Sequence, residues 1–409
     1  WRAGVAARPI AFPLKNTRLL AFAVCVILFR VMPDLADLPG SRLFRPFDGA
    51  VLLAPDGMAG ALGAAARDWG ARRAAIVVDP WFAGGAVPRT LAQALPCPLT
   101  VHPVPPGEPD TDGVEALRRD LAASAPDLVI ALGGGSAMDA AKVARVTLDT
   151  PGPVGDLAGF DSDFGPPASR LVCVPTTAGT ASEVSRMAVI SQAGRPVKLR
   201  YRAAHMAADL ALLDAALTLS LPPGPTAESG ADALTHALES LMSPRATPFT
   251  DALAGAALRD LWRALPAVIA RPDDMAPRQG CLAAATMAGL AFNDTQLGLA
   301  HAISAALGAQ HGLRHGLANA LVLPAVLRFN LPALAPSRRA MLSEVMGPDP
   351  AEAAARWLAG IGIAPGLRRA CPGLDPAALA PAVLQSGNIR TTPRAVTMAD
   401  AVAVLEDAA

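Results

Sequence analysis

Three histidines and one aspartate in the second half of the chain have the types and spacing of a metal site. Asp232 and His236 are four residues apart in a run rich in Ala and Leu, so on a helix they lie one turn apart on the same face. His301 stands in the apolar run 298–303, and His315 follows fourteen residues later. A single histidine on an apolar helix is usually a core residue. The four together form a ligand set suited to Zn²⁺ or Fe²⁺, and we expect them to converge on one ion.

The remaining histidines divide into one alternative ligand and two that lie outside any ligand spacing. His311 is four residues before His315, so it could take the place of one member of the set. His102 and His205 lie in the first half of the chain without a suitably spaced partner. We interpret these two as ordinary surface residues.

A glycine-rich turn in the first half has the pattern of a phosphate site. Gly133, Gly134, Gly135 and Ser136 follow the apolar run 127–132 and open a helical pattern. Glycines at a strand-to-helix turn let a pyrophosphate approach the backbone, and the helix N-terminus offers free N–H groups. Ser136 stands where an N-cap residue is expected. A tight turn with an ordinary cap is the alternative, but the strand and helix on either side favour nucleotide binding.

Polar residues also follow two other predicted strands. Thr176, Thr177 and Thr180 lie directly after the apolar run 171–175, at a carboxyl end where open α/β sheets bind ligands. Asp79 ends the first predicted strand; its carboxylate could accept hydrogen bonds from a ribose diol and repel a 2′-phosphate. A hydroxyl-rich turn and a helix N-cap are the respective alternatives.

The elements that must position these side chains change in character along the chain. The runs 74–79, 127–132 and 171–175 read as short strands, separated by helical patterns that include 57–69 and 113–124. Continuous apolar runs between helices are typical of parallel strands buried on both faces. This half therefore reads as a doubly wound, Rossmann-like α/β domain.

The second half reads as helical throughout, which divides the chain into three segments. After a Pro pair at 222–223, Ala and Leu recur at helical spacing with little clustering of β-branched residues. The predicted fold class is α/β plus all-α, with an α/β dinucleotide-binding domain at 47–223 and a helical metal and substrate domain at 224–409. We expect 1–46 to be an N-terminal extension outside the fold.

Composition excludes several classes of protein. Lys+Arg and Asp+Glu both number 35, so no basic excess indicates nucleic acid. The longest apolar run, 19–29, has eleven residues, whereas a membrane-spanning helix needs about 20. A signal-peptide core is the alternative for that run. The five cysteines are scattered without a Cys-x-x-Cys pair, which fits a reducing compartment, and we expect a cytoplasmic location.

Taken in order, the motifs resemble those of the iron-containing (group III) alcohol dehydrogenases across about residues 50–409. The motif GGGSxxDxAK stands at 133–142, a PTTxGTGSE-like loop at 175–183, GxDALTHAxE at 230–239 and a GLxHA…HGxANAxxLP stretch at 298–324. Four motifs in the same order are far more specific than one glycine loop.

The resemblance implies a role for each matching residue. It implies the metal ligands Asp232, His236, His301 and His315, with Fe²⁺ as the ion and Zn²⁺ as the alternative. It implies pyrophosphate and nicotinamide contacts from Gly134, Gly135, Ser136 and Asp139, next to Gly133. It implies contacts to the ribose and adenine region from Thr176, Thr177, Thr180, Ser185 and Lys198. Asp79 matches an acidic residue that favours NAD(H) over NADP(H).

Two positions depart from the family pattern. Four residues beyond His301 the family usually has a second histidine, thought to relay protons, and here that position is Ala305. His311 could substitute for it, so His301 and His311 are the predicted catalytic residues. An asparagine that usually precedes a proline is replaced by Glu108, before Pro109, which puts that cofactor contact in doubt.

The resemblance implies an NAD-dependent, metal-containing alcohol dehydrogenase or aldehyde reductase. Hydride would pass between nicotinamide and the carbinol carbon of a metal-bound alcohol. We expect a small alcohol or aldehyde as substrate, a homodimer or higher homo-oligomer, and no nucleic acid or membrane partner. A maleylacetate reductase-like keto-acid reductase is one alternative; it would need pocket arginines, for which Arg314 is a candidate. A catalytically weakened binding protein is another, whereas a dehydroquinate synthase-like lyase, of related architecture, fits the Asp232 and His236 helix poorly.

Overall fold

A computed structural model describes residues 46–160, 162, 164–195 and 197–409 of the protein. The apolar run 19–29 and the rest of the predicted extension lie outside these residues, except for its last member, Pro46. The carbonyl of Pro46 accepts a hydrogen bond of 2.7 Å from Asn293 Nδ2.

The described strands form one large and one small sheet. In chain order the strands are β1 (Ala50–Leu53), β2 (Ala74–Val78), β3 (Leu99–Pro103), β4 (Leu128–Gly133), β5 (Gly159–Phe160), β6 (Arg170–Pro175), β7 (Met187–Ser191), β8 (Lys198–Arg202) and β9 (Leu210–Leu213). Six of them pair in the order β1-β9-β6-β4-β2-β3, and every pair is parallel. The other three form the order β5-β8-β7, in which β7 and β8 are antiparallel.

Helices cover both faces of the large sheet and make up the second half of the chain. The first five are α1 (Met58–Asp68), α2 (Pro80–Ala83), α3 (Ala86–Ala94), α4 (Thr111–Ser124) and α5 (Gly135–Val146). The second half contains α6 (Pro223–Met242), α7 (Pro248–Ala270), α8 (Met275–Thr295), α9 (Leu299–His311), α10 (His315–Asn330), α11 (Pro336–Met346), α12 (Pro350–Gly360), α13 (Leu367–Ala370), α14 (Pro376–Gln385) and α15 (Met398–Ala408).

The three central strands are apolar throughout because both faces of the sheet are buried. Ile76 of β2 and Ile130 of β4 pack with Leu62 of α1 on one side. Val77 and Val129, the immediate sequence neighbours of these isoleucines, pack with α4 and α5 on the other. The period-2 alternation of strand side chains thus sends apolar groups into two separate cores. The predicted fold class, a doubly wound α/β domain followed by helices, is confirmed.

Several strands are not among those that the sequence pattern predicted. β1 and β3 are edge strands with mostly exposed or half-buried side chains, so they lack the apolar run of a central strand. β9 has the sequence LALL and is fully buried, but Leu and Ala favour helix as readily as strand. Local composition therefore gave no strand signal at these three positions.

The β7–β8 hairpin packs against α5 and forms part of a cavity wall. Its register places Val189 opposite Arg200 and Ala188 opposite Tyr201. Ala188, Ile190 and Tyr201 point into the core beside α5. The alternate residues face away from that core, towards the cavity described below.

The helices of the second half share a core of their own, in which Trp262 and Trp357 stack with ring centroids 5.2 Å apart. One helical stretch, 315–333, is long and apolar enough to cross a membrane by length and composition, with mean hydropathy 1.2. Of that stretch, 56% is buried inside the protein, and a buried core helix passes the same test. The domain boundary at 223 stays a prediction; in the structure α6 begins at Pro223.

Candidate active site

The structure brings Asp232, His236, His301 and His315 together. Asp232 Oδ1 lies 3.8 Å from His236 Nε2, 3.5 Å from His301 Nε2 and 3.7 Å from His315 Nε2. The ligand atoms offered by Asp232, His236 and His301 all lie within 4.8 Å of one another, and these three residues are buried. In a tetrahedral site with bonds of about 2.1 Å, ligand atoms are about 3.4 Å apart. The spacing of the four side chains is therefore that of a ligand set.

Three helices supply these side chains. Asp232 and His236 lie one turn apart on the buried face of α6, as their spacing predicts. His301 is in the first turn of α9, and its ring stacks on His236 with centroids 4.7 Å apart. His315 is the first residue of α10 and is 46% exposed. The cluster is closed towards the helical core and open on the side of His315.

Glu239, a residue of α6, joins this helix to the N-terminus of α9. Its buried carboxylate accepts hydrogen bonds of 2.7 Å from the backbone N–H groups of Gly298 and Ala300, at the N-terminus of α9. The same carboxylate lies 2.7 Å from His301 Nδ1. A side chain of α6 thus caps α9 and fixes the ring orientation, leaving Nε2 of His301 directed at Asp232. Carboxylates in this position are typical partners of ligand histidines.

Asn319 lies at the centre of the cluster, one turn beyond His315 on α10. Its Nδ2 donates to Asp232 Oδ1 at 2.7 Å and lies 3.1 Å from His301 Nε2 and 3.3 Å from His315 Nε2. Its Oδ1 is buried without a hydrogen-bond partner in the described structure. Asn319 therefore constrains the position of the Asp232 carboxylate.

The electrostatics of the cluster favour a charged carboxylate surrounded by imidazoles. Burial alone would raise the pKa of Asp232, but the neighbouring histidines outweigh it and hold that pKa well below its usual range. Burial lowers the pKa of His236 to about 4, against the opposing effect of Asp232. Burial also opposes the charged form of His301, yet Glu239 and Asp232 raise its pKa to about 9.

The predicted phosphate turn lies at the carboxyl ends of neighbouring strands. The backbone N–H of Thr176 donates to the carbonyl of Gly133 at 3.0 Å, which joins the turn after β4 to the loop after β6. A Cβ at Gly135 would stand 2.9 Å from Thr180 Cγ2, so a side chain at this position would displace Thr180 where the two loops touch. Asp79 follows β2 beside this turn; its carboxylate accepts a hydrogen bond of 2.9 Å from the N–H of Trp81 and caps α2.

A buried polar network connects this turn to the β7–β8 hairpin. Asp139 accepts hydrogen bonds from Ser182 Oγ at 2.5 Å and from the N–H of Val189 at 2.9 Å. Lys142 is fully buried; its ammonium donates to Ser182 Oγ at 2.8 Å and to the carbonyl of Met187 at 2.7 Å. Burial raises the pKa of Asp139, and Lys142 opposes that rise. The network fixes the hairpin against α5.

A cavity of about 300 Å³ joins the turn to the cluster. It is lined by four members of the ligand set and by the predicted cofactor residues Gly135, Ser136, Asp139, Thr180, Ser185 and Lys198. The other predicted cofactor residues, Asp79, Gly133, Gly134, Thr176 and Thr177, lie outside this lining, at the carboxyl ends of β2, β4 and β6. The cavity thus brings the four predicted ligands together with six of the eleven predicted cofactor residues.

Some predictions about individual residues need correction. Ser136 is not an N-cap residue: α5 already begins at Gly135, and Gly134 is its N-cap. His102 is half-buried on the edge strand β3: its side chain is 13% exposed and its Nε2 lies 2.9 Å from Thr100 Oγ1. His205 is exposed, as predicted.

Two other candidates lie away from the cavity lining. His311 is exposed in the last turn of α9, so the structure does not bring it to the other ligands. Arg314 is 71% exposed and forms a two-pronged ion pair with Glu228. By contrast, Ala305 does line the cavity, and Glu108 forms an ion pair with Lys198 in its wall.

Sequence reasoning did not identify Glu239, Asn319 or Arg200 as site residues. Glu239 is seven residues after Asp232 and Asn319 is four after His315, so helical spacing placed both on ligand faces. Arg200 lies two residues after Lys198 on a strand, and its position in the cavity wall depends on the hairpin.

Comparison with known proteins agrees with the resemblance. Residues 52–215 match the model of the family "Iron-containing alcohol dehydrogenase", and residues 226–409 match "Fe-containing alcohol dehydrogenase family, C-terminal". The probable alcohol dehydrogenase EutG of Salmonella typhimurium is 38% identical over 277 residues, 67% of this chain and 70% of that protein. The NAD-dependent methanol dehydrogenase of Bacillus methanolicus is 32% identical over 285 residues, 68% of this chain and 73% of that protein.

A solved structure gives the same result. The crystal structure of a 1,3-propanediol oxidoreductase superposes with a TM-score of 0.84 at 30% identity, covering 90% of this chain and all of that one. Sequence, fold and the order of the motifs agree along both halves of the chain. The chain belongs to the iron-containing alcohol dehydrogenase family.

Proposed function

We propose that the protein is a metal-dependent dehydrogenase that transfers hydride between NAD(H) and a small alcohol or aldehyde. The observation that carries the proposal is the convergence of one carboxylate and three imidazoles on the cavity that reaches the glycine turn. The similarity to an NAD-dependent methanol dehydrogenase supports the choice of cofactor.

The donor set fits a divalent cation. Three nitrogens and one carboxylate oxygen suit Fe²⁺ or Zn²⁺, and the family favours Fe²⁺. The Nε2 atoms of the three histidines lie 3.5, 3.7 and 3.8 Å from Asp232 Oδ1, so four potential donor atoms face one point. Asp232, His236, His301 and His315 would hold the cation.

The chain's own residues prepare the site for the transfer. When bound, the cation supplies Lewis-acid polarisation of the substrate oxygen and the nicotinamide supplies the hydride acceptor or donor. Glu239 fixes the orientation of His301, and Asn319 fixes that of Asp232. Phe292 lies against His236 with ring centroids 4.7 Å apart and lines the cavity, so it excludes water from that side.

The turn after β4 and the loop after β6 would bind the cofactor. The N-terminus of α5 offers free N–H groups to the pyrophosphate. Asp79 uses one carboxylate oxygen to cap α2, and the other could accept hydrogen bonds from a ribose diol. A 2′-phosphate beside Asp79 would be repelled, so we expect tighter binding of NADH than of NADPH. The homo-oligomeric state and cytoplasmic location stay predictions.

The test combines metal analysis with turnover. Purified protein should contain iron or zinc and should oxidise NADH in the presence of a short aldehyde. Asp232→Asn should lose metal and turnover together, while Asp274→Asn, which replaces one helix-capping side chain with another, should lose neither. Full turnover by a metal-free Asp232→Asn variant would rule out the proposed site.

A further inference from the structure

One wall of the cavity carries a row of cations that the ligand set and the phosphate turn do not use. Lys198, Arg200 and Arg202 alternate along β8, and all three line the cavity. The residue between the last two, Tyr201, is fully buried in the core on the opposite face of the hairpin. Because strand side chains alternate between faces, the three cations project on the same side of the hairpin.

Of these cations, Arg200 has no partner among the described residues. Lys198 forms an ion pair with Glu108, and Arg202 is not free of partners either. In the part of the chain that the structure describes, no ion pair or hydrogen bond joins the Arg200 guanidinium to another side chain. Its cross-strand neighbour is Val189, which cannot provide a counter-charge. Burial lowers the pKa of Arg200, and no carboxylate opposes that effect.

A half-buried guanidinium without a partner is energetically unfavourable unless a bound anion pairs with it. Arginine stays charged at all ordinary pH values, and removing an unpaired charge from water destabilises the protein. The side chain lines a cavity large enough for a small molecule. A carboxylate or sulfonate can accept two hydrogen bonds from the planar guanidinium fork.

Arg200 and the predicted reaction centre line the same cavity. Asp232, His236, His301 and His315 form one part of its wall and Arg200 another, around a space of about 300 Å³. A substrate of a few carbon atoms could therefore place its oxygen at the ligand cluster and its other end at Arg200.

We propose that Arg200 binds an anionic group at the far end of the substrate, so that the preferred substrates are short aldehydes or alcohols carrying a carboxylate or sulfonate. This inference rests on the proposed dehydrogenase function and specifies its substrate class. The apolar residues Phe292 and Leu313 line the same cavity and would contact the carbon chain between the two polar ends. A phosphate of the cofactor is the other possible source of the anion, and the experiment separates the two.

The test compares ω-hydroxy acids of three to five carbons with the diols of the same length. Each acid and its diol differ in the far group alone. Binding is measured by calorimetric titration of the metal-loaded full chain saturated with NADH, in which an alcohol cannot be oxidised, and is repeated without NADH. Wild type should bind the best acid about 10-fold more tightly than its diol, the size expected for a hydrogen bond to a charged group.

Variants at Arg200 assign that preference to one side chain. Arg200→Leu should weaken acid binding about 10- to 100-fold and leave diol binding nearly unchanged. Arg200→Lys should restore part of the loss, because it keeps the charge without the fork. Arg195→Leu, an exposed arginine in the turn of the same hairpin that does not line the cavity, is the control and should change neither.

Three results would overturn the inference. The first is equal binding of acid and diol by the wild type at every length. The second is an equal loss of acid and diol binding in Arg200→Leu. The third is a loss of NADH affinity in that variant as large as the loss of acid affinity, which would assign the guanidinium to the cofactor. If the protein oxidises a diol with NAD⁺ but does not bind acids more tightly than diols, the inference about Arg200 is wrong and the proposed function stands. If acid binding depends on Arg200 but no substrate is turned over, the proposed function is wrong.

Discussion

Glu239 offers the sharpest test of how the ligand cluster is held, because one carboxylate serves two backbone N–H groups and one imidazole. Oε2 accepts from Gly298 N–H and lies beside His301 Nδ1, while Oε1 accepts from Ala300 N–H. Glu239→Gln keeps the size and shape of the side chain. It also removes the charge and turns one oxygen into an NH₂ group that cannot accept.

The expected loss follows from this geometry. Whichever way the amide is placed, at least one buried N–H of α9 or His301 faces a donor, which costs about 1–3 kcal/mol. The hydrogen bonds that remain change from charged to neutral, at about 1 kcal/mol each. The total is about 3–5 kcal/mol of unfolding free energy. Because His301 also loses its fixed orientation, metal affinity should fall about 10- to 100-fold.

Two measurements check this reasoning. Urea unfolding followed by circular dichroism reports the stability of the helices, and chelator competition reports metal affinity. Glu352→Gln, which weakens an exposed pair with Arg356 on α12, is the matched control and should cost at most about 1 kcal/mol. Metal affinity in Glu239→Gln equal to that of the control would refute the orienting role, even if stability falls.

Three further substitutions test the surroundings of the site. Lys142→Met should cost about 3 kcal/mol in urea unfolding, because it leaves the half-buried carboxylate of Asp139 without its cation; unchanged stability would contradict the network. Gly289→Ala would place a Cβ 2.3 Å from Ala181 Cβ, so we expect a loss of about 1–3 kcal/mol and, by calorimetric titration, weaker NADH binding through the displaced loop. His311→Ala should leave kcat and its pH profile unchanged, since the ring is exposed outside the cavity lining; a clear loss would restore the relay hypothesis.

The sequence predicts the centre of the fold better than its edges, for a physical reason. β2, β4 and β6 are buried on both faces, so each appears as an uninterrupted apolar run. Edge strands have no such requirement and carry mixed side chains. The β7–β8 hairpin has alternating cations and apolar residues in β8, which is a period-2 strand pattern. This pattern did not predict a strand here, because three cations in five residues are also typical of a solvated surface segment.

The ligand set was predictable from its four members together, because three histidines and one aspartate in helical segments form a known set of metal ligands, whereas each histidine alone indicates only a core residue. The residues that orient it were harder to identify. Glu239 and His301 are 62 residues apart in the chain, and the glutamate has its role only because α6 passes the N-terminus of α9. Nothing in local spacing distinguishes such a carboxylate from one that forms a surface ion pair, such as Glu352.

The charges in the cluster give an independent reason to expect a divalent cation there. Asp232 and Glu239 are both buried, at 2% and 3% exposure, and both touch the same imidazole. A histidine that binds a metal ion is neutral. The two neighbouring carboxylates therefore leave two negative charges to be balanced. The arginine that directly precedes α10, Arg314, pairs with Glu228 outside the cavity lining. One doubly charged ion held by Asp232 and three imidazoles would balance both carboxylates at once, which no single side chain of this protein could do.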